Sequence, residues 1–535
     1  MLVSMYVDKV PNRESKPCFL LRESYREGGK VKKRTLANLS HLPEHAIEGL
    51  KILLKKGSLV NLPALKDSFE IKRSLPHGHV KAVLEVAKSI GLANIISSKP
   101  SEKLQLVMAM IISRIIYPKS KLSTSRGLDT ETRNSTLSQE LGIEECSSDD
   151  LYKAMDWLIK RQSRIEKKLA DKHLEDRTLV LYDITSTYFE GDSCPIAKFG
   201  YSRDKKRGKK QIVIGLLCAK DGCPVSVEVF EGNLKDHLTV KAQLNKLKER
   251  FGISRVVFVG DRGMITNTEI DKEFNKREGF DWITCLGSRS INKLIRKGDF
   301  QLSIFDEVDI AEIKSPDYPD ERLIVCYNSS LANKRRHTRE DLLKATEKEL
   351  NKIAQATKRN SKRLKGQDEI GLKVGSCKDN HKMSKHFNFT ITEDSFSYER
   401  NLDSINNEAK TDGIYIVRTS VEKEQMSSNE VVFAYKSLSQ VEQAFRSLKT
   451  VDLKIRPVYH YSEERVKSHV FLCMLAYYIE WHMRKLLSPV LFDDPYLDQE
   501  AVRVVKTMPN WKPGKQRGKA VPVHYMIPIN FTLSN

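Results

Sequence analysis

The chain reads as an α/β protein: a mixed sheet with helices packed on its faces, broken by an insertion. Three observations carry this reading. Between Arg177 and Leu286, apolar strand runs alternate with helical stretches in the order three strands, helix, strand, helix, strand. Before that, from about residue 80 to 175, apolar residues recur at three- and four-residue intervals, the period of helices. At the start, FLLRESYREGGKVKKRTLANL alternates around a Gly-Gly pair, as a β-hairpin does.

Each element can be placed in turn. VKAVLEVAKSIGL, KLQLVMAMIISRIIY and DDLYKAMDWLIKRQSRIEKKLADKHL are amphipathic helices, and the Ser-Ser-Asp-Asp before Leu151 supplies an N-cap. RTLVLYDI is a buried strand, followed by QIVIGLLCA and PVSVEVFEG on either side of the turn Lys220-Asp221-Gly222. A helix near 238–250, the strand RVVFVGD, a helix near 265–278 and the strand FDWITCL complete this part. After a break in rhythm, GIYIVRTS is a strand, and helices follow at about 428–450 and 462–486. The tail after 505 carries Pro509, Pro513 and Pro522 among basic residues and reads as extended. These shifts divide the chain into 1–75, 76–175, 176–289, a basic insertion at 290–410, 411–488 and a tail at 489–535.

Composition narrows the class. At 535 residues, with 40% apolar and 30% charged residues, the chain has room for several domains with real cores. Its 91 Lys and Arg against 70 Asp and Glu give a net charge of +21, which suits a polyanionic partner such as nucleic acid. Between Leu331 and His386 stand 16 basic and 7 acidic residues, which fits a solvated surface or a DNA-contacting insertion equally. Nine scattered cysteines without a C-x2-C pair point to free thiols in a reducing compartment. MLVSMYVDKVPNRES lacks the apolar core of a signal peptide, and Leu104–Tyr117 and Val470–Met483 are too short to span a bilayer. The expectation is a cytoplasmic protein with no membrane role. No G-x4-G-K-[ST] loop is present, so nothing points to ATP.

The chemistry rests on carboxylates. Asp183 and Asp261 each end a hydrophobic strand, where an acid is costly unless it is paired or binds a metal. Two such acids in one sheet favour a metal site. Phosphodiester chemistry uses that arrangement: cations held by carboxylate oxygens activate the attacking oxygen and stabilise the leaving one, and Mg²⁺ needs only a few such ligands. YKSLSQVEQAFRSLK supplies a third acid. At roughly 100° per residue, Tyr435, Leu438, Glu442, Arg446 and Lys449 share an arc of about 80° on one helix. Taken alone, this is either a metal ligand flanked by phosphate-gripping groups or an amphipathic helix with an i,i+4 Glu442–Arg446 pair.

These residues and their flanks resemble the DDE transposases of bacterial insertion sequences, in the group marked by Y-x2-R-x3-E-x6-K. Tyr435, Glu442 and Lys449 match that spacing, and LYDITSTYFEG, FGYSRDKKRGKKQIVIGLL, VEVFEGN, VGDRGMIT and LKIRPVYHYSEERVKSHVFLCMLAYYIEW resemble one of its subgroups. The likeness is dense from about 105 to 485. It implies an RNase H-like core in 176–289 and 411–488, with catalytic, metal-binding Asp183, Asp261 and Glu442, and Mg²⁺ or Mn²⁺ as cofactor. It also implies DNA contacts at Tyr435 and Lys449. Region 76–175, helped by 1–40, would bind the DNA ends. Partners would be terminal inverted repeats and target DNA, engaged by a homodimer at the bacterial nucleoid. The enzyme would cut a 3′ end and join its 3′-OH to target DNA. The rival readings are a catalytically silent repressor descended from a transposase, and a nuclease that hydrolyses without joining.

One position departs from the pattern: the motif arginine is Leu438, and Arg446, on the same arc, is the candidate substitute. The basic stretch Tyr201–Gln211 either grips DNA or is a solvated turn, with Asp204 a candidate supporting group. Cys377, His381 and His386 have only a loose ligand-like spacing. His460 and His469 read as structural, and Trp282 as core packing.

Overall fold

The computed structural model describes residues 4–12, 17–56, 74–191, 193–204, 206, 208–299, 301 and 309–488. Of the tail it describes only the backbone of the strands Gly514–Gln516 and Lys519–Val521, so the extended reading of the tail lies otherwise outside the described residues. Two compact units divide between Leu75 and Pro76.

In the first unit, β1 (Ser4–Val10), β2 (Cys18–Glu27) and β3 (Lys30–Asn38) form an antiparallel sheet in that order, followed by α1 (Glu44–Lys56). The expected hairpin is β2–β3. Its two-residue turn puts Gly28 and Gly29 at φ of 62° and 79°, a conformation that matches the twist of paired strands and that side chains resist. A third strand, β1, joins it, and an Arg22–Asp8 ion pair of 2.7 Å ties the two strands.

The second unit opens with helices, among them α2 (Gly78–Ser89), α3 (Glu102–Ile116), α4 (Ser148–Ile159) and α5 (Gln162–His173). Ser147 caps α4, and its capping box with Asp150 satisfies donors that the first turn leaves open. Among the described residues, the main sheet has eight strands: β4 (Thr178–Tyr188), β5 (Gln211–Ala219), β6 (Pro224–Glu231), β7 (Val256–Gly260), β8 (Phe280–Cys285), β9 (Ile310–Ile313), β10 (Arg322–Tyr327) and β13 (Ile414–Thr419). Their order is β6-β5-β4-β7-β8-β13-β10-β9. β4, β5 and β6 run antiparallel, while β4, β7 and β8 are parallel, which is the RNase H-like arrangement.

The basic region 290–410 is more organised than a solvated helix and loop. β9 and β10 extend the main sheet, so part of the assigned insertion belongs to the sheet. The remainder, α6 (Ser329–Thr357), α7 (Gln367–His381) and the hairpin of β11 (Phe387–Ile391) with β12 (Phe396–Arg400), closes over a core of its own containing Leu343, Leu350, Ile370 and Phe396. Arg400 reinforces it through Glu340 and Glu347 on α6, at 3.0 and 2.8 Å.

After β13 come α8 (Ser428–Lys436), α9 (Leu438–Arg446) and α10 (Glu463–Leu487). α10 is buried along most of its length and packs on α3, α4 and β6, so it joins the helical region to the sheet. No helix among the described residues is long and apolar enough to cross a membrane. His469 is buried within α10 and bonds the Ile455 carbonyl at 2.9 Å, a structural role as expected. Trp282 is 1% exposed in the core, with Arg418 over its ring.

A buried acid locks α5 to the sheet. Glu166 is fully buried and accepts from Gln162 at 2.8 Å, the Val227 amide at 3.1 Å and Arg250 at 2.9 Å, with the Lys246 amine at 3.8 Å. Removing one member strands the others in low dielectric, so Glu166→Ala is expected to cost about 3–5 kcal/mol. Denaturant unfolding measures this, and a loss under about 1 kcal/mol would mean that the network relaxes freely.

Candidate active site

Strand register brings the first two acids together. β4 and β7 are parallel with Tyr182 opposite Gly260, so the next residues on each strand, Asp183 and Asp261, stand side by side. Asp183 is half-buried within β4, whereas Asp261 lies just past the end of β7 and is exposed. The chain turns sharply there: the Met264 and Ile265 amides donate to the Asp261 carbonyl at 2.9 and 3.0 Å. The Arg262 amide donates to Asp261 Oδ1 at 2.7 Å.

The third acid arrives on α9, which buries Leu438, Val441, Ala444 and Phe445 and packs against β4. Glu442 stays exposed beside that stripe. Burial, opposed by the Ile184 backbone hydrogen bond, pushes the Asp183 carboxyl up to about 7; the Asp261 and Glu442 charges push the same way, and Arg203 pulls against them. All three acids therefore act within one electrostatic neighbourhood. A hard oxygen donor set of this kind fits Mg²⁺ or Mn²⁺.

The other expected contacts do not share one continuous helical face. The helix is interrupted at Ser437, whose hydroxyl donates to the Phe433 carbonyl at 3.0 Å, and it widens into a π turn over Ser447–Val451. Tyr435 lies on the first segment, close to Cys285; burial chiefly, then the Cys285 and Asp261 charges, raise its pKa. Leu438 is 9% exposed and belongs to the core. Arg446 is exposed on α9, one turn beyond Glu442.

Lys449 differs most from expectation. It sits in the π turn with Nζ 3.2 Å from Asp204, while Arg456 reaches the same carboxylate at 2.7 Å; Lys449 and Asp204 are 12% and 9% exposed. Burial lowers the pKa of Lys449, and Asp204 opposes the shift. Lys449 thus anchors the Tyr201–Gln211 stretch beside β4, and Asp204 is the acid that holds it there. The Arg203 amide donates to Ser186 on β4 at 3.0 Å, and its guanidinium pairs with Asp236.

Asp236 was not singled out from the sequence. A Cβ added to Gly263 would lie 3.8 Å from Asp236 Oδ2 and 3.9 Å from Asp261 Oδ2, so this fourth acid borders the same cleft. An acid following a loop carries no periodic signal that could have revealed it. Of the loosely spaced Cys377, His381 and His386, the two histidines have other partners. His386 bonds Ser404 and Glu408, His381 faces Glu349, and the Cys377 side chain lies outside the described residues.

Comparison with known proteins matches this geometry to a family. A transposase DDE domain model covers residues 175–479, and a model of the IS1634 family transposase N-terminal domain covers 7–60. The chain belongs to the DDE transposases. It is a transposase of the insertion-sequence kind, and its family carries out metal-dependent DNA cleavage and strand transfer. A model of the Gram-negative TonB C-terminal region matches 492–533, almost wholly outside the described residues. No curated protein matches the transposase. Among solved structures, piggyBac transposase in a synaptic complex with hairpin DNA aligns over 82% of this chain and 84% of its own, at 9% identity and a TM-score of 0.33. The Mos1 transposase paired-end complex with the left transposon end aligns over 37% of this chain and 62% of its own, at 12% identity and a TM-score of 0.15.

The burial of Leu438 makes a direct test of the departure from the motif. Leu438→Arg places a guanidinium in the apolar seam between α9 and β4 and is expected to destabilise by roughly 2–4 kcal/mol. Urea unfolding measures the loss. Unchanged stability would mean that the side chain escapes to solvent and can contact DNA after all.

Proposed function

We propose that this transposase cuts the ends of its element and joins each freed 3′-OH to target DNA, with Asp183, Asp261 and Glu442 holding divalent Mg²⁺ or Mn²⁺. The observation that carries this reading is the convergence of three carboxylates from β4, the end of β7 and α9, whose mutual repulsion a cation relieves. Bound there, the ions would activate the attacking oxygen and stabilise the leaving one.

The protein's own groups position the DNA. Arg203, paired with Asp236 and anchored on Ser186, brings a fixed positive charge to Asp183. Arg446 lies one turn beyond Glu442 and supplies the phosphate contact that Leu438 cannot make. Tyr435, set near Cys285 and Asp261, would contact a DNA phosphate from its place beside the acids. Lys449 acts through Asp204, holding the basic loop in place, and contributes its charge to the same region.

The partners are double-stranded terminal repeats, bound through the helices of 76–175 with help from the N-terminal unit, and target DNA. The +21 charge supports both. A homodimer would pair the two ends, and the protein would work on nucleoid DNA in the bacterial cytoplasm.

Asp183→Asn, Asp261→Asn and Glu442→Gln are each expected to reduce cleavage of labelled end DNA in Mg²⁺ to background while end binding persists. Near-normal cleavage by any one variant removes that acid from the site. Arg446→Ala is expected to slow cleavage about 10- to 150-fold, the value of one charge-assisted phosphate contact. Full activity in a folded Arg446→Ala protein would show that position 438 lacks a contact this enzyme does not need.

A further inference from the structure

Away from the carboxylates, three elements distant in sequence meet at one point. The turn between β5 and β6 brings Cys223, the C-terminal end of α5 brings His173, and the last part of α10 brings His482. One ligand atom from each, the thiol sulfur and two imidazole nitrogens, all lie within 4.8 Å of one another. Cys223 is fully buried, and the two histidines are half-buried.

Further observations separate this cluster from ordinary packing. His482 Nε2 is buried without a hydrogen-bond partner, a position that is costly for a polar nitrogen unless something binds it. The His173 ring is oriented by the Tyr478 hydroxyl, 2.8 Å from its Nε2, and metal-bound histidines are oriented by an outer partner in the same manner. Burial lowers the pKa of both rings, His482 to about 4, with the Lys172 and Lys485 charges adding to the effect and Asp221 opposing it.

We propose that His173, Cys223 and His482 form a zinc site that fastens the helical region to the sheet. A sulfur and two imidazoles are a borderline-soft set that suits Zn²⁺ and not the hard cations of the carboxylate site. Zn–S and Zn–N bonds of about 2.3 and 2.0 Å place neighbouring ligand atoms roughly 3.3–3.6 Å apart, inside the 4.8 Å that bounds the three atoms here. As the Zn–S bond forms, Cys223 releases its thiol proton to solvent, and the imidazoles coordinate through lone pairs without losing protons. A water, reaching the site past the half-buried histidines, completes four-coordination. The turn itself is already fixed, because Trp481 Nε1 donates to the Asp221 carbonyl at 3.2 Å.

The test is Co²⁺ substitution in the full-length protein, together with metal analysis after dialysis against excess Mg²⁺. The expected result is one zinc per chain in the wild type and in Asp183→Ala. The Co²⁺ form should show a thiolate charge-transfer band and the intense visible bands of a four-coordinate ion. Cys223→Ser should lose the charge-transfer band, and His482→Gln should bind zinc at least tenfold more weakly, with circular dichroism confirming that both are folded. Absence of the band in wild-type protein loaded with Co²⁺ overturns the proposal without recourse to any variant. Undiminished zinc in folded Cys223→Ser overturns it as well. Neither result bears on cleavage by the carboxylates, which Asp183→Ala removes independently.

Discussion

Electrostatic repulsion among carboxylates at the end of a parallel strand pair is the constraint around which the rest of this structure is arranged. The register of β4 on β7 leaves Asp183 and Asp261 no choice but to stand together, and α9 adds Glu442. Such a cluster is unfavourable in the free protein. The apolar stripe of α9 and the closely packed strands must hold it in place, because the acids themselves push apart. Stability invested in packing is what maintains an arrangement suited to cations and phosphates.

A second layer of charge answers the first. Asp236 and Asp204 do not join the acids; each holds cationic groups beside them, Arg203 in one case and Lys449 with Arg456 in the other. The Asp204 group is largely shielded from water and the Arg203–Asp236 pair is partly exposed; in both, each cation is kept in a defined position at reduced entropic cost when a phosphate arrives. The basic loop after β4 is thereby a built part of the site, anchored at Ser186 and at the π turn. The buried Glu166 network likewise uses an acid to fix cations, linking α5 to β6.

Much of this was legible in the sequence. β4 through β8 announce themselves as apolar runs, and the capping box at Ser147 follows directly from residue type and spacing, but β4 runs on past Asp183 to Tyr188, so that acid lies inside the strand and not at its end. Other features leave no such trace. The interruption at Ser437 and the π turn after Arg446 shift the helical phase by little, yet they send Tyr435 and Lys449 to different neighbours. β9 and β10 are short strands that lie just before the strongly basic stretch, and nothing local marks the pairing of β10 with β13 or of β9 with β10. Asp236, His173, Cys223 and His482 acquire meaning only through the fold, since no local pattern connects residues that meet through sheet register and the path of α10.

The central claim is that Asp183, Asp261 and Glu442 bind metal as one site. The most direct measurement replaces the divalent cation with Fe²⁺ in the presence of ascorbate and peroxide, so that hydroxyl radicals cut the polypeptide close to the bound ion. Mapping the fragments by mass spectrometry should show cuts beside 183, 261 and 442 together, suppressed by excess Mg²⁺ and lost as a group in Asp261→Asn. Cutting confined to one of the three segments, or cuts near 183 and 261 with none near 442, would contradict a shared site.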